Sequence, residues 1–178
     1  MVKNKGITLI ELIVVIAILG ILTGGIVLAF SIVRSADVQG CTQTLDTSLE
    51  KTKNECMTQM EQNFLVLYKS SDSNHAGYYL GNVTKSDLAT YSLTPEKDNK
   101  ICSDAIQISV TLQTGTTIDV STTPVYFTFD RATGAFEYLY TGNIPTSVSE
   151  YPTAITITNG TKTGIINLVQ ATGKHFIE

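Results

Sequence analysis

The residue of greatest chemical interest in this sequence is Glu11, a carboxylate set near the start of a long apolar run. A short basic leader, which carries Lys3 and Lys5 and ends at Gly6, precedes the run. Inside a membrane a carboxylate costs about 2.5 to 3.5 kcal/mol at mid-span and less near an end. We therefore expect Glu11 to require a partner of opposite charge.

The three cysteines are candidates for covalent cross-linking. Cys41 and Cys56 are fifteen residues apart on one predicted helix, about 22 Å along its axis, which is too far for a disulfide. Cys102 can pair with either of them, and we predict a Cys56–Cys102 bridge with one thiol left over. Three buried thiols without a bridge form an equally good alternative, since cysteine packs as a small hydrophobic residue.

Residue patterns typical of enzymes, cofactors or metals are missing from the sequence. It has no Gly-rich phosphate loop, HExxH motif, nucleophile elbow or CxxC pair, and its only histidines are His75 and His175. The acids in or beside predicted loops are Glu96, Asp98, Asp104 and Asp119. We interpret them as solvated surface rather than a calcium site. The net charge of −4 and the lack of a dense basic cluster argue against nucleic-acid binding. We predict a protein that is not an enzyme and has no cofactor, metal or nucleic-acid partner.

The apolar run that surrounds Glu11 predicts a membrane helix. From Leu12 to Val33 there are 22 residues without a formal charge, and about 33 Å of helix is enough to cross a hydrocarbon core of about 30 Å. We predict a transmembrane segment at about 12–33. Lysines precede it, whereas Arg34 is balanced by Asp37 beyond it, so the N-terminus is predicted to be cytoplasmic.

Three other kinds of N-terminus are alternatives to be weighed. A secretory signal has a shorter apolar core than this run. A lipid-attachment box ending at Cys41 would have to follow the run directly, but Arg34 and Asp37 intervene. A plain single-pass anchor explains the length and the lysines, yet it leaves Glu11 without a role.

The stretch KGITLIEL, Lys5 to Leu12, followed by an apolar helix, resembles the leader and N-terminus of type IV pilins and pseudopilins. The resemblance implies that a prepilin peptidase cuts after Gly6 on the cytoplasmic side and that the new first residue, Ile7, is N-methylated. It also implies that Glu11 neutralises the N-terminal amine of a neighbouring subunit during filament assembly. A carboxylate and an ammonium attract strongly in a low dielectric, whereas either alone is expensive to bury.

Two features depart from the usual pilin pattern. The first mature residue is Ile7 where phenylalanine is usual, and Leu28 stands where many pilins have a proline. Gly24 and Gly25 lie a turn earlier and predict a place for local melting, because glycine costs about 1 kcal/mol relative to alanine in a helix. Gly20 and Gly24 form a small-xxx-small pattern that favours close helix packing in lipid. Ordinary membrane-helix glycines are an equally good interpretation.

Beyond the apolar run, an apolar stripe at helical spacing predicts that the helix continues to residue 68. The residues of the stripe are Val38, Cys41, Leu45, Leu49, Cys56, Met60, Phe64 and Leu67, with a gap at Thr52 and Lys53. We predict three parts: a leader at 1–6, a long helix at 7–68 and a β-rich head at 69–178. The predicted fold class is α+β, with the amphipathic second half of the helix packed on an antiparallel head.

Six strands are predicted in the head from alternating β-branched and polar residues. They are Ala105–Leu112, Pro124–Asp130, Ala135–Tyr140, Ala154–Thr158, Gly164–Val169 and His175–Ile177. The second pairs with the third in one hairpin, and the fourth with the fifth in another. The Ala-Thr-Gly sequence, at 132–134 and 171–173, is interpreted as reused turn chemistry.

Together these features predict a structural subunit of a bacterial type IV pilus or related filament. The resemblance implies as partners other pilin subunits, in a homo- or heteropolymer, together with the prepilin peptidase/methyltransferase and an inner-membrane assembly platform. It implies a location in the cytoplasmic membrane before assembly and in a surface filament afterwards. A pseudopilin of a type II secretion or competence system, and a plain anchored surface domain that binds a ligand, are the alternatives.

Overall fold

Helix α1 covers Leu9–Thr58 in the computed structural model, which describes residues 9–143 and 145–178, with the backbone alone for residues 22–35. The predicted cleavage residues Gly6 and Ile7 lie outside the described residues. The described chain divides into two compact units, one that ends at Ala36 and one that covers Asp37–Glu178. The division falls within α1, which therefore contributes to both units.

Strands follow the helix in the unit Asp37–Glu178 and form two antiparallel sheets. In chain order they are β1 Asn63–Ser70, β2 Gly77–Thr84, β3 Asn99–Cys102, β4 Gln107–Leu112, β5 Thr117–Asp119, β6 Val125–Phe127, β7 Tyr140–Thr141, β8 Thr146–Ser147, β9 Pro152–Thr158, β10 Thr163–Val169 and β11 Lys174–Ile177. Short 3-10 turns cover Ser73–His75 and Gln170–Thr172. Among the described residues, the first sheet has the order β3-β2-β1-β6-β7-β8 and the second β11-β10-β9-β4-β5. The predicted α+β class is confirmed at this level.

The second half of α1, Asp37–Thr58, packs on the strands through the predicted stripe. Its buried members are Val38, Cys41, Leu45, Leu49 and Cys56, and they share one core with residues of both sheets. Thr52 is also buried and donates its hydroxyl to the carbonyl of Ser48. The gap in the apolar stripe is thus filled by a threonine that satisfies its own hydroxyl within the helix.

The predicted end of the helix at residue 68 is wrong. The structure ends α1 at Thr58 and starts β1 at Asn63, so Phe64 and Leu67 are strand residues, and Met60 is 92% exposed. Side chains from Phe64 to Tyr68 are buried on both faces of β1. A strand buried on both faces lacks the alternation of a half-buried strand, and a short apolar run of this kind fits a helical stripe equally well.

The predicted disulfide is also wrong in its partner. Cys102 in β3 pairs with Cys41, not with Cys56. Cys56 is a buried free thiol whose Sγ donates to the carbonyl of Asn63 at 3.2 Å. Because the chain turns back immediately after the helix, Cys56 lies beside the start of β1. Cys41, in the first turns of the second half of α1, lies beside β3.

Most of the strands predicted in the second half of the chain are confirmed. The β9–β10 hairpin forms, with Ile155 opposite Ile166, and β4, β6 and β11 lie within or overlap their predicted ranges. The predicted strand Ala135–Tyr140 is reduced to a single bridge, Phe129 to Phe136, before β6 pairs with β7. Strands β1, β2, β3, β5 and β8 were not predicted.

The two Ala-Thr-Gly segments meet in the folded unit. Each ends in a left-handed glycine, Gly134 with φ of 68° and Gly173 with φ of 58°. A Cβ on Gly173 would collide with the carbonyl oxygen of Gly134. Only glycine suits both the positive φ and the close approach, so the repeated sequence serves two turns that pack against each other.

Candidate functional site

Glu11 lies in the first turn of α1 and is exposed, among apolar side chains that are also exposed. The large apolar residues around it and beyond it are between 50% and 77% exposed: Leu9, Ile10, Leu12, Ile13, Val14, Val15, Ile16, Ile18, Leu19 and Ile21. We call residues 9–21 the apolar segment.

The apolar segment has no polar face. Successive residues of an α-helix are about 100° apart, and every large side chain of this segment except Glu11 is hydrophobic. A soluble surface helix instead confines its apolar residues to one stripe. Exposed apolar area of this extent is unfavourable in water and marks a surface that contacts another protein or lipid.

Among the described residues, no helical stretch is long and apolar enough to cross a membrane. The part of the predicted span that follows Ile21 belongs to residues 22–35, whose side chains are not described.

The three glycines singled out from the sequence lie within the helical backbone of α1. A Cβ on Gly20 would meet no other atom within 4 Å, so the surface at this position is open. Gly24 and Gly25 belong to the segment whose side-chain surroundings are not described. Close packing or local melting at these glycines stays a prediction.

A second group of chemically interesting residues lies on the first sheet, around Asp98. Its carboxylate accepts hydrogen bonds from the Tyr68 hydroxyl at 2.7 Å and from the Tyr91 hydroxyl at 2.8 and 2.9 Å. Burial, followed by these bonds to Asp98, raises the pKa of both phenols well above the ordinary range. Because both phenols remain protonated, they continue to donate hydrogen bonds to Asp98. The cluster therefore attaches the segment before β3 to the face of β1 that carries Tyr68.

Asp104 and Asp119, two of the other predicted loop acids, are used in separate local contacts, and Glu96 is exposed. Lys69 Nζ lies 2.6 Å from Asp104 Oδ1, and this hydrogen bond raises the pKa of the lysine. Asp119 accepts from the backbone N–H of Ser121 at 2.8 Å. Within residues 9–143 and 145–178, no group of three or more His, Cys, Asp or Glu side chains is placed to hold a metal.

The Asp98 cluster and the helix contacts of His175 could not be read from the sequence. Tyr68 and Asp98 are thirty residues apart, and no motif links them. His175 Nε2 lies 3.0 Å from the carbonyl oxygen of Asp46 and 3.8 Å from Glu50 Oε2, which joins β11 to α1. Such contacts depend on which face of the sheet the helix covers, and residue types alone do not determine that face.

Comparison with known protein families gives a match at the N-terminus. Residues 1–27 match the prokaryotic N-terminal methylation motif, which is the prepilin leader of type IV pilins and pseudopilins. This motif is structural and does not belong to an enzyme family. No curated protein and no solved structure shows a significant match to the chain.

Proposed function

We propose that this chain is a structural subunit, a pilin, minor pilin or pseudopilin, of a type IV pilus or related filament. The observation that carries the proposal is the apolar segment, residues 9–21, exposed on all sides and interrupted by the single acid Glu11. It lies within the methylation motif at residues 1–27. The proposed activity is polymerisation through this segment, without chemistry in the head.

The apolar segment requires an environment from outside its own unit. Before assembly, the proposed environment is the cytoplasmic membrane, with the N-terminus inside and the unit Asp37–Glu178 outside. After assembly, it is a bundle of the same segments from neighbouring subunits at the cell surface. Either environment removes the exposed aliphatic side chains from water. This burial is favourable by about 25 cal/mol for each Å² of apolar surface.

Glu11 gives the bundle a defined register in this proposal. Cleavage after Gly6 creates a free primary amine at Ile7, and methylation converts it to a secondary amine, which remains protonated and charged. An ion pair between Glu11 and the amine of a neighbouring subunit satisfies both charges in a low-dielectric bundle. Removing one partner of such a buried pair is costly because the other charge is left uncompensated.

The proposed partners follow from this processing and assembly. A prepilin peptidase/methyltransferase cuts after Gly6 and methylates Ile7, and an inner-membrane platform transfers the processed subunit into the filament. The filament consists of copies of this chain, alone or with related subunits. A secretion or competence pseudopilus is the alternative filament, and the same segment would serve it equally.

Processing is tested by intact-mass analysis of the protein extracted from its native membrane or filament fraction. We expect a chain that begins at N-methyl-Ile7. Gly6→Ala is the matched variant, because it changes the residue before the proposed cut and leaves the apolar segment intact; it should accumulate the uncut chain. A wild-type chain that begins at Met1, or near Val33, would exclude the proposal in favour of a plain anchor or a secretory signal.

Assembly is tested by Glu11→Gln, which keeps the size of the side chain and removes its charge. We expect normal cleavage and methylation but loss of the subunit from sheared filaments. Glu55→Gln, a half-buried acid that lies near Lys51 in the second half of α1, is the control and should be incorporated normally. Incorporation of the Glu11 variant at the wild-type level would remove the charge-pairing step, even if processing at Gly6 holds.

A further inference from the structure

An open cavity in the unit Asp37–Glu178 combines aromatic rings with acids. Its volume is about 400 Å³. The chemically active lining residues are Tyr138, Tyr140, Tyr151, Asp130, Glu137 and Gln170. The described lining contains no lysine or arginine, and the adjacent Arg131 donates to the carbonyl of Met60 instead.

The aromatic side of the cavity is already arranged. The rings of Tyr138 and Tyr151 are 4.5 Å apart between centroids and tilted by 39°, so they pack against each other. Tyr138 is 44% exposed, although it packs on Tyr151. Tyr140 is held from behind by an edge contact with Phe64 at 5.3 Å. A ligand would therefore meet rings that have lost much of their rotamer freedom before binding.

The acidic side of the cavity carries negative charge. Hydrogen bonds from the side chain and backbone of Thr133 lower the pKa of Asp130, so this carboxyl is ionised at neutral pH. Glu137 Oε2 accepts from Gln62 Nε2 at 2.7 Å, a neutral donor that orients the carboxylate without neutralising it. The pKa of Tyr151 is raised, first by its interaction with Tyr138 and in small part by the charge of Glu137.

Rings and carboxylates without a compensating base form an environment complementary to a cation. The face of an aromatic ring is negative and attracts ammonium groups, and cages of aromatic side chains are used for alkylated ammonium ligands. A phosphate or carboxylate ligand would be repelled by Asp130 and Glu137. A neutral ligand could donate hydrogen bonds to the two carboxylates but would lack the attraction between opposite charges.

We propose that this cavity is a binding site for an alkylammonium group, with the cation on the rings of Tyr138 and Tyr151 and beside the carboxylate of Glu137. The ligand can be a free amine or the side chain of a lysine, since both present the same group. The site is independent of the proposed filament role, because it uses no residue of the apolar segment.

The test uses the full-length chain in a non-ionic detergent, labelled with 3-fluorotyrosine and followed by fluorine NMR. The eight tyrosines are assigned with single Tyr→Phe variants. The probe is n-butylammonium chloride, and n-pentanol is the neutral probe of similar size. We expect saturable shifts at Tyr138 and Tyr151 with the amine and none with the alcohol at equal concentration.

Matched variants separate charge from shape. Glu137→Gln can still accept a hydrogen bond from Gln62 and should weaken the amine about two- to fivefold, the range for an exposed charge pair. Tyr138→Leu should weaken it by a similar factor, whereas Tyr138→Phe keeps the ring and should bind normally. Glu96→Gln, an exposed loop acid outside the cavity, is the control. Equal shifts with the alcohol, or unchanged amine affinity in Glu137→Gln, would overturn the proposal.

The source of the ammonium group is distinguished by carbodiimide cross-linking of material from cells. A lysine that occupies the site would become joined to Glu137 by an amide bond, which is detected as a cross-linked peptide by mass spectrometry. A free amine would instead leave Glu137 modified by a small adduct. A site that yields neither product in cell material and no saturable shift with n-butylammonium is not an ammonium site.

Discussion

The two halves of α1 differ in where their apolar side chains find partners. In the apolar segment, residues 9–21, the side chain of Ile16 is 61% exposed. None of the ten large apolar side chains of this segment is buried. In Asp37–Thr58, residues such as Leu45 and Leu49 are fully buried, and Lys51 on the opposite side is exposed. One half buries its hydrophobic side chains within its own unit, and the other leaves them exposed.

The distinction explains why one continuous helix carries two kinds of sequence. A stripe is enough for a helix that lies on one surface, and its polar face remains in water. A helix without a polar face must be covered on all sides. Changes in the second half should therefore alter the stability of the unit, and changes in the first half should alter assembly.

The largest expected effect comes from the covalent attachment of the second half of α1 to β3. Cys41 and Cys102 are 61 residues apart, and closing a loop of this length stabilises by about 4 kcal/mol in the chain-entropy model. We expect Cys41→Ser/Cys102→Ser to lose about this much in urea unfolding followed by near-UV circular dichroism. All eight tyrosines lie in the unit Asp37–Glu178, so the tyrosine part of the signal reports that unit alone.

Cys56→Ala is the control for the disulfide variant. It removes a buried thiol without opening a loop and should cost about 1 kcal/mol, in the usual range for single substitutions. If Cys56→Ala costs as much as the double variant, burial of the cysteines rather than the cross-link stabilises the attachment.

The next effect compares equivalent truncations in the two halves. Leu49→Ala should cost about 3 kcal/mol, because it removes a fully buried side chain and leaves a cavity. Ile16→Ala should change the same unfolding transition by less than about 0.5 kcal/mol, as for an exposed position. Equal losses from the two variants would mean that the apolar segment also has its partners within the chain.

The sequence predicted the difference between the two halves of α1 better than it predicted the residue at which the helix ends. Charge-free length identified the first half and the stripe from Val38 to Leu49 identified the second, because both follow from helical periodicity. Phe64 and Leu67 extended that stripe by coincidence, since β1 is buried on both faces and lacks alternation. Local spacing contains no information about the packing of the β1 face that carries Phe64, Val66 and Tyr68. Tyr79, Val83 and Tyr126 cover that face.

The functional residues also differ in whether the sequence alone could identify them. Glu11 was identifiable because a lone acid in an apolar run is conspicuous, whatever the fold. The pairing of Cys102 was not, since the choice between Cys41 and Cys56 depends on where the helix ends. The cavity around Tyr138 and Tyr151 was not identifiable either, because its residues come from chain segments brought together only by the sheets.

A smaller effect sharpens the contact between the second half of α1 and β10. A Cβ on Gly164 would lie 2.5 Å from Thr42 Oγ1, which donates to the carbonyl of Val38 inside the helix. Gly164→Ala should therefore cost about 1 to 3 kcal/mol through overpacking. In a Thr42→Ala background the same change should cost less than about 1 kcal/mol, because the crowded atoms are gone.

The double-mutant cycle also measures how closely this half of the helix is held. A coupling energy near zero would show that the helix shifts to accommodate the methyl group. Gly115→Ala is a useful comparison, because a Cβ there meets nothing within 4 Å. Gly115 has φ of 86°, so that variant reports backbone strain without crowding and should not respond to Thr42→Ala.

The smallest effect is expected on the exposed face of the second half, where Lys51 Nζ lies 3.7 Å from Glu55 Oε1 one turn later. Lys51→Gln should cost about 0.3 to 0.5 kcal/mol at low salt and less at high salt, because the lysine is 66% exposed and water screens the pair.

Lys51→Leu should be similarly small for unfolding in the isolated subunit, yet it gives this half an apolar residue on its polar face. Self-association of this variant is measured in detergent-free buffer, with the apolar segment covered by a nanodisc. If the variant self-associates, the polar face is what prevents the second half from binding other molecules. A variant that remains monomeric would show that one added leucine is too little apolar surface and that the contrast between the halves depends on the complete absence of a polar face in residues 9–21.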